Sequence, residues 1–248
     1  MIEITIPRLE QHWRVIRNNF QLDFKNWNNL FSDILFSVSK VCDILKGQRR
    51  LAENCSYLLM SKGINHSLAS YSLLEKGLCI DAALCARNAV ETFLLLELCL
   101  LDPSEKFFKK WSDGKSFRPA WVREQLKLKT EVTVRDVIIS NDYDQNDTNQ
   151  FVYKWLSKLT HANLSSLDYT VKAKEINSYE VSIGGDLKDQ EKFINAIFSV
   201  ISFSLHKSAL ICIAIFKLSE LEKEKQLFSN LGNRIEENTK KIVAQQES

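Results

Sequence analysis

Residues 73–101 read LLEKGLCIDAALCARNAVETFLLLELCLL. Gly77 suits the left-handed residue that closes a helix, so the pattern running through Leu68, Tyr71 and Leu74 ends there. Ile80 then opens the most apolar helix of the N-terminal half, which stops at Asp102-Pro103 because proline disfavours helical backbone at the residue before it. Two helices joined by a short glycine turn are therefore expected here.

The same periodicity extends outward. Pro7 suits a first helical turn and opens a short amphipathic helix to Phe20. Trp27, Leu30, Ile34, Val38, Val41 and Leu45 recur at steps of three or four, a single apolar stripe ended by Gly47. Residues 50–62 continue through Leu51, Leu58 and Leu59, with Gly63 expected as a stop and a restart at Ser67. Downstream, 141–150 is a polar loop, Asp147 or Thr148 can cap a helix from Phe151 to Ala162, and Asp186 is placed to cap a long helix reaching past Leu221. Beyond Asn230 the chain is polar and is expected to fray. Tyr169–Ala173 and Ser178–Ile183 alternate in the manner of strands around 175–177, which predicts one small β-hairpin near residues 169–183.

With three prolines and seven glycines in 248 residues, the chain lacks the turn residues that an all-β fold requires. The expected class is therefore all-α, a multi-helix bundle with that one hairpin. Its division is read as an N-terminal helical extension (1–62), a helical core carrying the hairpin as an insertion (63–228) and a polar tail (229–248).

The 33 basic and 31 acidic residues nearly cancel, so net charge directs the chain to neither nucleic acid nor an anionic membrane. The six cysteines lie mostly in apolar helical stretches without a C-x-x-C pair, which fits reduced core thiols and a cytoplasmic setting. The first residues, MIEITIP, lack a basic segment followed by an apolar one, so no secretory signal is expected. The most apolar run, Phe193–Leu218, is interrupted by Asn195, His206, Lys207 and serines, which favours a buried central helix over a membrane span of roughly 20 residues.

Arg87 and Glu91 stand four apart on an otherwise apolar helix and so share a face, as a packing ion pair or as site residues. Tyr153, Ser157 and His161 repeat that spacing on the helix expected at 151–162, aligning a phenol, a hydroxyl and an imidazole. Were His161 to meet Arg87 and Glu91, the imidazole could act as a general base while the guanidinium steadied charge on a phosphate; the alternative is a hydrogen-bonded helix end. His12, His66 and His206 are weaker leads. No set of ligands has metal spacing, and neither a phosphate-binding glycine loop nor a G-x-S-x-G elbow occurs, so no metal or cofactor is expected. Lys106, Lys109, Lys110, Arg118 and Arg123 alternate with Phe107, Phe108, Trp111, Phe117 and Trp121, which can hold single-stranded nucleic acid or can simply pack its aromatics inward.

The stretch 73–101, with its A-x-x-x-A-R-x-A-x-E core, resembles the helical hairpin of the HEPN superfamily and related abortive-infection families. Residues 153–167, YKWLSKLTHANLSSL, are similar to a Y-x-x-L-S-x-x-x-H element of one branch of those families. The resemblance implies a helical bundle and, for active members, metal-independent ribonuclease chemistry by an Arg and a His, with Arg87, Glu91 and His161 at the matching positions. The R-x(4-6)-H signature of active members is absent: Arg8 and His12 are one residue too close, and no arginine stands just before His161. Members without it resemble accessory subunits of bacterial defence and toxin–antitoxin assemblies. Three functions follow as expectations: a helical scaffold binding a partner protein or a second copy of itself, a ribonuclease, or a nucleic-acid-binding module.

Overall fold

The computed structural model describes residues 6–126, 171–175, 178–181 and 190–244. It is an all-α bundle. Its helices are α1 (Ile6–Asp23), α2 (Lys25–Leu45), α3 (Leu51–Leu74), α4 (Cys79–Leu100), α5 (Lys106–Ser112), α6 (Glu191–Phe216) and α7 (Lys225–Ala244), with a further helical stretch at 119–126. Two short strands, Val171–Glu175 and Ser178–Val181, pair antiparallel with Val171 opposite Val181 and Ala173 opposite Tyr179.

α2 buries the stripe from Trp27 to Leu45 and ends where Lys46 turns extended and Gly47 takes φ +77°. Between α3 and α4 the amide of Leu78 bonds the carbonyl of Leu73, and the amide of Gly77, at φ +69°, bonds that of Leu74. This paired closure needs a left-handed residue, which glycine adopts without a Cβ penalty. The two helices then run back antiparallel along a seam of small residues. Gly63, Ser67 and Ser70 of α3 face Ala82, Ala86 and Ala89 of α4, and the Ser70 hydroxyl donates to the Ala82 carbonyl at 2.8 Å.

Gly63 therefore does not stop a helix. α3 runs unbroken through it, because the missing side chain admits the Phe93 ring, which a Cβ there would overlap. The boundary drawn between residues 62 and 63 falls inside this helix, and one continuous core joins residues from Ile16 to Ile235.

α6 occupies the centre of the bundle, packed against α2, α3, α4 and α7. It is long and apolar enough to cross a membrane, but 61% of its most apolar window is buried inside the bundle. Phe198 of α6 is the meeting point of four helices. Its ring stacks on Phe20 of α1 at 5.8 Å and on Trp27 of α2 at 5.6 Å, and meets Phe31 and Tyr71 edge-on at 6.1 and 6.0 Å. Above this knot Gln21 of α1 donates to the Tyr71 hydroxyl (2.9 Å) and to Glu75 (2.5 Å), fastening α1 to α3.

The C-terminal part departs from expectation in two places. α6 begins at Glu191 and ends at Phe216, where Lys217 turns left-handed (φ 50°) and the Leu218 amide closes on the Ile213 carbonyl. Asp186 lies outside the described residues, and Gln190, at the N-cap position, makes no capping bond. The expected frayed tail is instead α7, which buries Phe228, Leu231 and Ile235 and ties Arg234 to Asp33 of α2 at 2.6 Å. An apolar residue every three or four positions outweighs the polar composition between them.

Two substitutions test this packing by urea denaturation. Phe198→Ala empties the junction of four helices and should cost about 3–5 kcal/mol. Gly63→Val forces a branched side chain into the Phe93 ring and should cost about 1–3 kcal/mol, although the position looks harmless in the sequence.

Candidate functional site

Arg87 and Glu91 lie on α4 turned away from the alanine seam. Arg87 Nε donates to Glu91 Oε1 at 3.0 Å, and the side chains remain 23% and 20% exposed. The pair is thus neither buried in the core nor fully solvated. An in-helix pair of this kind contributes only about 0.3–0.5 kcal/mol, and with the cation on the N-terminal side it has the less favourable orientation. Tyr153, Ser157 and His161 lie outside the described residues, so Arg87 and Glu91 are the part of the expected constellation that the structure places.

A second ion pair on α4 escaped the sequence reading. Glu97, 4% exposed, accepts Lys207 Nζ of α6 at 2.9 Å. It follows Arg87 by ten residues, which places it about 80° around the helix and turns it toward α6. The signal was present as one acid in the run LLLELCLL and one base in the most apolar stretch of the chain. Nothing in the sequence paired them across 110 positions.

Other polar groups are also buried. The Cys79 thiol donates to Gln190 Oε1 at 2.6 Å, and burial pushes that thiol up to about 12, so it remains a protonated donor. Burial first, and then the nearby Asp43, pushes Cys42 up to about 12; burial likewise raises Cys212. All six cysteines are free thiols, and these buried ones are chemically quiet. Among the described residues no group of three or more His, Cys, Asp or Glu side chains is arranged to hold a metal ion.

The basic and aromatic stretch packs inward. Phe107 and Phe108 are buried, and Phe107, Phe117 and Trp121 contact one another at centroid distances of 5.7–6.2 Å. Lys106, Lys109, Lys110 and Arg118 are exposed and Arg123 is half-buried. The rings that would have to stack on bases are engaged with each other, while the cations remain available to solvent. A cavity of about 220 Å³ lies near the far end of α4, lined by Arg50, Cys99, Asp102, Glu105, Phe108 and Phe216 among others. Cys99 stands twelve residues beyond Arg87, about 18 Å along the helix.

No protein-family model, no curated protein and no solved structure matches the chain.

Removing the Lys207 ammonium strands a buried carboxylate, so Lys207→Met should destabilise the fold by about 3–5 kcal/mol. Adding Glu97→Leu to it should restore most of that loss, since apolar residues of similar size tolerate the same space. A double-mutant cycle by chemical denaturation measures both.

Proposed function

We propose that the chain is a non-catalytic helical subunit that docks a partner protein, in a bacterial assembly of the defence or toxin–antitoxin kind, and works in the cytoplasm. The observation that carries this reading is the engagement of Arg87 by Glu91 on its own helix. The Nε edge that an arginine would present to a phosphate is occupied by a carboxylate at 3.0 Å. The absent R-x(4-6)-H signature points the same way. In this reading the family hairpin is kept as a frame, with the β-hairpin near residues 169–183 as an insertion on it, and its Glu97 locks α4 to α6.

Docking would draw on the outer face of α1. Val15 and Leu22 are 57% and 76% exposed and stand one heptad apart, on the side away from the buried Ile16 and Phe20. An amphipathic helix with a second, exposed apolar edge is the kind of element that lies into a partner's groove.

Coexpression with proteins encoded beside it, followed by light scattering of the purified material, tests the proposal. The expected result is a stable complex that Val15→Glu with Leu22→Glu weakens tenfold or more. A strictly monomeric chain that retains no neighbour-encoded protein would end it.

A ribonuclease reading is favoured by one observation: Arg87 and Glu91 each keep about a fifth of their side-chain surface open. Growth arrest or RNA cleavage present in the wild type and lost in both Arg87→Ala and His161→Ala would replace the scaffold by the enzyme. The scaffold requires the three proteins to be equally silent. It also requires that Lys109→Glu with Lys110→Glu leave RNA retention unchanged, because a binding module would lose affinity and salt dependence together.

A further inference from the structure

The imidazole of His206 lies between α6 and α7 with little to hold it. It is 7% exposed, and its Nδ1 has no hydrogen-bond partner among the protein's groups. One turn earlier on the same face of α6, Ser202 Oγ is fully buried and likewise unpartnered. α7 forms the cover. Phe228 stacks on the imidazole at 6.0 Å, and one turn further the α7 backbone descends so close that a Cβ at Gly232 would stand 3.2 Å from Nε2.

We propose that α7 is a releasable arm, docked while His206 is neutral and freed when the imidazole takes up a proton.

A neutral imidazole tolerates this enclosure; an imidazolium does not. The cation carries two N–H donors and a full charge, and Nδ1 faces no acceptor. Two charged groups of the packed elements are paired elsewhere. Lys207, the next residue on α6, turns to Glu97 of α4, and Arg234 of α7 turns to Asp33 of α2. Burial lowers the His206 pKa to about 4. Hydrating it requires one of its walls to move.

α7 is the wall that yields at least cost. α6 is enclosed by α2, α3 and α4, whereas α7 packs on α6 and α2 from outside, through contacts that include Phe228, Leu231 and Ile235, the exposed Arg234–Asp33 pair and a Ser199–Thr239 hydroxyl contact at 2.7 Å. It joins α6 through left-handed Lys217 and the 3-10 segment Ser219–Glu224, so it can swing without unwinding the core helix.

The sign follows from the two pKa values. The docked value lies below that of a hydrated imidazole, about 6.5, so docking is at full strength above pH 6.5 and weakens as pH falls. Between about 6.5 and 4 the undocked fraction should rise close to tenfold per pH unit, roughly 300-fold in all.

Hydrogen exchange of the α7 amides from pH 7.5 to 4.5, corrected for intrinsic rates and compared with α4, tests this in the wild type and in His206→Phe. The wild type should lose α7 protection about tenfold per unit below pH 6 while α4 holds, and the variant should show no such slope. Equal slopes in the two proteins, or α4 opening in step with α7, would overturn the proposal. If His206→Phe does not fold, the wild-type His206 Cε1 resonance decides: titration below pH 5 supports the arm, and titration near 6.5 with α7 docked removes it.

Discussion

The contact on which the bundle depends is the one Phe198 makes with four rings from three other helices. Phe20, Trp27, Phe31 and Tyr71 all lie within about 6 Å of it, so α1, α2 and α3 are oriented by one side chain of α6. Helices without such a common reference can slide by a turn at modest cost, because aliphatic side chains are interchangeable in shape. Flat rings are not: two stacked contacts and two edge contacts on one ring admit few alternative arrangements. The register of α6 against α2 and α3 is set there, and what α6 carries further along, Lys207 and His206, is set with it.

The second constraint is the small-residue seam between α3 and α4. Because alanines and Gly63 bring these helices close, α4 has one face committed to α3 and the rest divided between α6 and the outside. That division sorts three of its four charges. Arg87 and Glu91 fall on the side away from α3 and meet each other within the helix. Glu97, about 80° around, falls toward α6 and must find a cation there. The two pairs look alike as sequence, acids and bases in an apolar helix. Burial separates them, since Glu97 is almost wholly enclosed and its pair is costly to break, whereas Arg87 and Glu91 each keep about a fifth of their surface in water.

Much of this was legible beforehand, for identifiable reasons. The stripe from Trp27 to Leu45 and the turn at Gly77 depend only on neighbours within a few residues, and local chemistry decides them. Gly63 was read as a stop because a helical glycine is ambiguous locally; only Phe93, thirty positions away, gives it a packing role. α7 was read as a frayed tail because its composition is polar, and the spacing of Phe228, Leu231 and Ile235 gains meaning only once α6 and α2 offer a surface. At the site, the Arg87–Glu91 contact follows from helical spacing, whereas Glu97–Lys207 depends on how two helices meet and has no local signature. The aromatics after Lys106 were open to two readings, and the three-ring cluster of Phe107, Phe117 and Trp121 shows where they pack.

Polar groups in the α4–α6–α7 region are thus handled in three ways, and the differences bear on what the chain can do. Arg87 and Glu91 meet on one helix with partial access to water. Glu97 and Lys207 meet away from water at the carboxylate end, which fixes α4 to α6 and leaves little freedom for chemistry there. His206 has no polar match at Nδ1 and is tolerated only as long as it stays uncharged. The third makes the attachment of α7 conditional, so the C-terminal helix belongs to the fold on different terms from the helices beneath it.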